Sequence, residues 1–288
     1  MKKYVEYIML FVGLTTFVAS AQDIIPNVFT YKVGTLEVCL LSEGQGLGRS
    51  GILVGATPEM MQKCLHDGAF PNACNAFLVR IPGKTILVDT GYGRNLLDNL
   101  QSFDVTPDQV DAILITHMHG DHFGGILKDG NMVFPKAEIY LSKPEYDYWM
   151  SDEARNPDAA RKVFATCQSN LRFFQPAEID AKPTVLFPGI QAIAAFGHTP
   201  GHTLFMIESG KEKLLIWGDL THAMAIQMTY PQVAVTYDVN PDMAIASRKK
   251  TLQYAAKKKI PVAGMHNAFP GMGKITKAST GYLYTPFK

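Results

Sequence analysis

The chain has 288 residues, of which 47% are hydrophobic and 18% charged, and its formal net charge is +1. That length and apolar fraction can bury a substantial core. The near-neutral balance excludes an electrostatic partnership with nucleic acid or an acidic membrane surface. With 16 Phe and 12 Tyr the composition is that of a globular chain.

The amino terminus reads MKKYVEYIMLFVGLTTFVASAQ, with Lys2 and Lys3 ahead of an apolar stretch and then Ala19-Ser20-Ala21. A short basic region, an apolar core and a small-x-small site are the marks of a cleavable secretory signal. The apolar stretch, from Tyr7 to Val18, is shorter than the roughly 20 residues a membrane span needs. The expectation is a signal peptide over 1–21 and a single domain over 22–288, secreted or periplasmic and free of the membrane after cleavage. Cys39, Cys64, Cys74 and Cys167 match no zinc knuckle, and both disulfides and free thiols stay open.

Further along, 75–81 and 84–91 read as strands joined by a Pro-Gly-Lys turn. Helical spacing follows over 94–102 and 106–110, with Thr106 as a cap. Strands are expected at 111–116 and 137–142, and 143–175 reads as mostly helical. The second half repeats the style, with strands at 190–197, 203–209, 213–219, 233–238 and 260–266. A helix is expected over 241–259, with Pro241 in its first turn. Strand runs in both halves with helices outside predict an α/β fold of two sheets packed face to face.

Three of the eight histidines fall in THMHGDH, directly after the apolar run 111–116. His117 and His119 stand at i and i+2, so extended backbone sends both imidazoles to one side. Gly120 permits a sharp turn, after which Asp121 and His122 can converge on the same point. Nitrogen and oxygen donors so gathered suit zinc or a similar divalent metal. More donors follow apolar runs in GHTPGHT, LLIWGDL and VAGMHNAF, and His202, Asp219 and His266 complete a set of seven.

This ordered set resembles the metallo-β-lactamase superfamily, from NAFLV near residue 75 to GMHNAFPGMG near 273. The resemblance implies a four-layer αββα sandwich with two mixed sheets and outer helices. It also implies one metal on His117, His119 and His202, a second on Asp121, His122 and His266, and Asp219 bridging the two. Asp89 matches a supporting aspartate outside the ligand set, and His198 is read as another supporting residue. Two zinc ions are expected, with Mn, Fe or Co as alternatives, sharing a hydroxide that attacks the substrate. Asp121 and His222 are the candidates for handling protons or meeting the leaving group.

Asp219 stands where common β-lactamases of this fold carry cysteine. The phrases LLIWGDLTHAMAIQM and MHNAFPGMG are most similar to the exported branch of methyl parathion hydrolase, with acyl-homoserine lactonases close by. The expected partner is a small, largely uncharged ester or lactone, and a homodimer stays open. Phosphotriester cleavage, β-lactam cleavage and non-haem iron redox chemistry are the alternatives. Phe123, Phe269, Trp149 and Trp217 are candidate pocket walls, with core packing favoured for Trp217.

Overall fold

Along Leu36–Arg49, Val38 and Leu40 face one way while Cys39 and Leu41 face the other, and all four are shut off from solvent. A strand buried on both faces must be covered on both faces, and that requirement builds the layers. The structure is a computed structural model and describes residues 28–288. The expected signal peptide, 1–21, lies outside the described residues.

Two seven-stranded sheets each follow chain order from one edge to the other. The first runs Val28–Val33, Leu36–Arg49, Ala69–Ile81, Lys84–Val88, Ala112–Leu114, Glu138–Ser142 and Leu171–Phe174. Its first four strands pair antiparallel and the remaining pairings are parallel. The second runs Thr184–Phe187, Ile190–Ala194, Thr203–Ser209, Glu212–Ile216, Val262–Ala263, Met272–Lys277 and Tyr282–Pro286, with one parallel pairing between Glu212–Ile216 and Val262–Ala263.

Between the sheets lie Leu40, Phe77, Val88 and Leu114 from one side and Phe205, Ile207, Ile216 and Met272 from the other. Leu96, Trp149 and Phe164, on helices Leu96–Gln101, Lys143–Met150 and Asp158–Thr166, cover the first sheet's outer face. Leu252 and Ala255 of helix Pro241–Lys258 cover the second sheet's outer face. Each fully buried Leu, Ile or Phe contributes about 1.5–3 kcal/mol. The four-layer sandwich is therefore the observed architecture, and Trp217 lies wholly within its core.

The hairpin turn is Pro82-Gly83, with Gly83 at φ 73 and Ile81 opposite Lys84. Pro241 starts the long helix, and the Asn240 side chain accepts a hydrogen bond from Met243 N at 3.1 Å. Three readings change. The segment expected to be mostly helical over 143–175 ends in the edge strand Leu171–Phe174, paired parallel with Glu138–Ser142. The 233–238 run forms only the short strand Ala234–Val235, paired with Leu53–Val54 outside both main sheets. The strands Val28–Val33, Leu36–Arg49, Thr184–Phe187, Met272–Lys277 and Tyr282–Pro286 were not anticipated; the edge strands among them are mostly half-buried or exposed. Cys39, Cys64, Cys74 and Cys167 are free thiols.

Candidate metal centre

The strand Ala112–Leu114 leaves the first sheet at Thr116, whose backbone N–H and hydroxyl donate to Asp89 at 2.8 and 2.7 Å. Asp89 sits at φ 58, a left-handed conformation that Asp tolerates better than most residues. Its Oδ2 also accepts from His122 Nδ1 at 2.6 Å. A single buried carboxylate thus aligns the strand end with the short helix Gly120–Phe123, which carries Asp121 and His122. Through these bonds Asp89 holds the loop from outside the donor clusters.

A second buried carboxylate, Glu145, holds the other side. It accepts from Met118 N at 2.8 Å, Trp149 Nε1 at 2.7 Å, Thr199 Oγ1 at 2.7 Å and Gly201 N at 2.8 Å. Burial raises its carboxyl pKa, with those four donors pulling it down. Glu145 therefore clamps the THMHGDH turn to the GHTPGHT loop.

The donors meet in three overlapping clusters: His117, His119 and His198 with Asp219; Asp121, His122 and His266; and His222 and His266 with Asp219. His117 Nε2 and His198 Nε2 each lie 3.0 Å from His119 Nδ1, and 3.5 and 3.4 Å from Asp219 Oδ2. His266 Nε2 lies 3.1 Å from Asp219 Oδ2 and 3.6 Å from Asp121 Oδ2. His122 Nε2 faces Asp219 Oδ1 at 3.2 Å. His222 Nε2 lies 3.0 Å from Asp219 Oδ2, and its ring stacks on His266 with centroids 4.7 Å apart.

His198 and His202 exchange the places expected of them. His202 Nδ1 donates to Ala195 O at 3.1 Å, and its Nε2 accepts from Asp219 N at 3.0 Å. Both ring nitrogens are engaged, so His202 has no lone pair left for a cation. It holds the backbone that presents Asp219. Gly218 makes that contact possible, since a Cβ there would stand 2.4 Å from His202 Nε2. His198 joins His117, His119 and Asp219 instead, and its Nδ1 hydrogen-bonds Asp238 Oδ1 at 2.9 Å.

Burial, then the neighbouring His122, holds the His117 imidazole well below its usual range; burial, then His198, does the same to His119. Burial pushes His202 down to about 3 and His222 down to about 4. At His198 burial opposes the charge, but hydrogen bonds with Asp219 and Asp238 raise it to about 9. At His122 the carboxylates of Asp219, Asp121 and Asp89 likewise outweigh burial. Four surrounding imidazoles, His122 foremost, keep Asp219 well below the usual carboxylate range despite burial.

A divalent cation fits this set. His122 Nε2 and Asp219 Oδ1 are buried, face each other, and make no hydrogen bond. Nitrogens bound to one tetrahedral zinc at about 2.0–2.1 Å lie roughly 3.3 Å from one another, close to the spacing of His117, His119 and His198. Mixed imidazole and carboxylate donors around one shared carboxylate are consistent with a binuclear site.

A cavity of about 410 Å³ opens over the donors, walled in part by Arg49, Asn72, Tyr92 and Tyr237. A second, of about 390 Å³, shares His119 and Tyr237 with it and is lined by Phe123, Tyr148 and Trp149. Phe269 lines neither; it faces an outer groove with Leu283 and Tyr284. His66 is exposed and apart from the site. Sequence reading missed Glu145, an ordinary first-turn acid by its pattern. It also missed Asp238, although that residue ends an apolar run as the other donors do.

Residues 69–262 match the family described as the Metallo-beta-lactamase superfamily. The chain belongs to that superfamily. Its fold is similar to that of AidC, a dizinc quorum-quenching lactonase, at 28% identity and TM-score 0.81, covering 91% of this chain and 98% of that one. It is also similar to the hydrolase AbOPH, at 26% identity and TM-score 0.82, covering 92% and 98%. The lactamase-like protein vrtG of Penicillium aethiopicum is 31% identical over 159 residues, 53% of this chain and 42% of that protein. The chain spans about half the length of the curated relatives it matches, 60% in the case of YobT of Bacillus subtilis.

Replacing Glu145 with alanine leaves four buried donors without their acceptor. The expected cost is on the order of 3 kcal/mol or more, read by urea denaturation of the cation-free protein. A loss below about 0.5 kcal/mol, the scale of an ordinary surface change, would show that Glu145 is not the clamp.

Proposed function

We propose that this protein is a metal-dependent hydrolase with two divalent cations, zinc first and Mn, Fe or Co on the same donors, acting on a small, largely uncharged ester or lactone of the acyl-homoserine lactone kind. The observation that carries the reading is Asp219, one buried carboxylate at the meeting point of both groups, with Oδ1 facing His122 and Oδ2 facing His117, His198, His222 and His266. His117, His119 and His198 hold one cation, Asp121, His122 and His266 the other, and Asp219 serves both. Bound there, the ions supply Lewis acidity and bring the ionisation of water toward neutral pH.

The chain's own residues supply the rest. Asp121 has a side chain 20% exposed, so it can pass a proton between the buried donors and the solvent in the cavity. His222 faces the same cavity, with its ring held between His266 and Tyr237. Its Nε2 is turned onto Asp219 Oδ2 at 3.0 Å, so it acts with that carboxylate and His266 at the border of the space a substrate would enter. The aromatic cavity beside His119 suits an apolar substituent better than a charged one. Similarity to a dizinc lactonase over 91% of the chain supports the lactone assignment.

With 1–21 as a signal peptide, the protein works outside the cytoplasm, and among the described residues no helix is long and apolar enough to cross a membrane. Mass spectrometry of protein recovered from the producing cells should find a chain beginning at Gln22; an intact Met1 terminus would refute export by this route.

Zinc-loaded protein should open acyl-homoserine lactones, fall to background on chelation and recover with zinc. It should turn over methyl parathion more slowly, and a β-lactam more slowly still. Full occupancy by two cations with no turnover of any of these would overturn the hydrolase reading. His198→Ala should remove one of two zinc ions by elemental analysis. His202→Ala should keep both while losing about 1–3 kcal/mol of stability, because the Asp219 N–H loses its buried acceptor. The reverse pattern would return the third imidazole to His202.

A further inference from the structure

Each group of donors contains one imidazole backed by a buried carboxylate. On one side His122 Nδ1 meets Asp89 at 2.6 Å, and on the other His198 Nδ1 meets Asp238 at 2.9 Å. The remaining partners are neutral: Thr116 Oγ1 for His117 at 3.0 Å and Ala73 O for His266 at 2.8 Å. Asp89 belongs to the strand end that supports the loop. Asp238 lies far along the chain, in the strap that leads into helix Pro241–Lys258, and needs its own explanation.

The second oxygen of Asp238 accepts from Val235 N at 3.0 Å and faces the Arg248 guanidinium at 3.9 Å. Arg248 comes from the outer helix and is 1% exposed. Its Nε donates to Leu220 O at 2.7 Å, and its Nη1 to Pro231 O and Val233 O at 3.0 and 2.9 Å. Removing a guanidinium from water is costly, and among the described residues Asp238 is the one carboxylate recorded as its ion-pair partner. The backbone fixes the same junction, with Val239 N on His198 O at 2.9 Å and Asn240 N on Gly197 O at 2.8 Å. An aspartate locked in this way keeps the proton of His198 on Nδ1 and leaves the Nε2 lone pair toward His119 and Asp219.

We propose that Asp238, held by Arg248, is a positioning residue that fixes the tautomer and direction of His198 and so sets how tightly the His117, His119 and His198 group holds its divalent cation. It is the counterpart of Asp89 on the opposite group. The inference rests on the two-cation reading of the site.

The test is zinc titration against a chelating dye, using the full-length protein. Wild type should show two bound ions. Asp238→Asn should weaken one of them about 10- to 100-fold, the range usual for loss of a ligand's partner, and leave the other unchanged. Because this change strips Arg248 of its counter-charge, the double variant Asp238→Asn with Arg248→Gln, neutral as a pair, is titrated beside it. In cobalt-loaded protein the shifted, exchangeable Nδ1–H proton resonance of His198 should move in both variants. Two ions held with wild-type affinity and an unmoved resonance, whatever happens to the melting temperature, would overturn the positioning role. Wild type holding fewer than two ions would instead overturn the two-cation reading beneath it.

Discussion

The carboxylate of Asp219 sits where water hardly reaches, with imidazole nitrogens of His117, His122, His198, His222 and His266 within 3.5 Å of it. An ionised carboxylate taken out of water is costly unless positive charge or hydrogen bonds replace its hydration. Here the replacement consists of nitrogens that are themselves buried, with burial pressing His117 and His222 toward neutrality while the neighbouring carboxylates favour the charged form of His122, His198 and His266. Such a centre has a negative core and surplus lone pairs. Protons satisfy it in part, and divalent cations suit it better.

The remainder of the architecture holds this centre open and in register. The donors hang from strand ends and the segments that follow them, Asp121 and His122 on the short helix Gly120–Phe123, so the sandwich core fixes where each side chain begins. Glu145 then ties the first donor loop to the second, and Thr203 N bonds to Thr116 O at 2.9 Å, linking the two sheets at the level of the site. His202 carries the Asp219 backbone, and Gly218 leaves room for its ring. These groups bear donors without being donors, and the position of Asp219 depends on them.

The reach of the sequence is clearest where donors are close together in the chain. THMHGDH fixes its own geometry, because extended backbone puts His117 and His119 on one side and Gly120 starts the turn that brings in Asp121 and His122. The two-sheet plan was equally legible, since alternating apolar residues allow few other solutions. The edge strands were not, because their residues are mostly half-buried or exposed and carry no clean apolar alternation. Leu171–Phe174 was not either: its extended form comes from pairing with Glu138–Ser142, and local propensity bows to such pairing.

Within GHTPGHT the pattern offered two histidines four residues apart, and the resemblance put the ligand at His202 and the supporting role at His198. Only the folded chain decides, by giving His202 the Ala195 carbonyl and the Asp219 amide and by turning His198 toward His119. Asp238 and Glu145 escaped for the same reason, as their partners lie 40 and 54 residues away. The sequence by itself determined the family, the layered plan and the kinds of donor, because these follow from local periodicity and short spacing. Tertiary structure alone decided which nitrogen faces the centre and which carboxylate stands behind it, because that depends on hydrogen bonds between segments that meet only after folding.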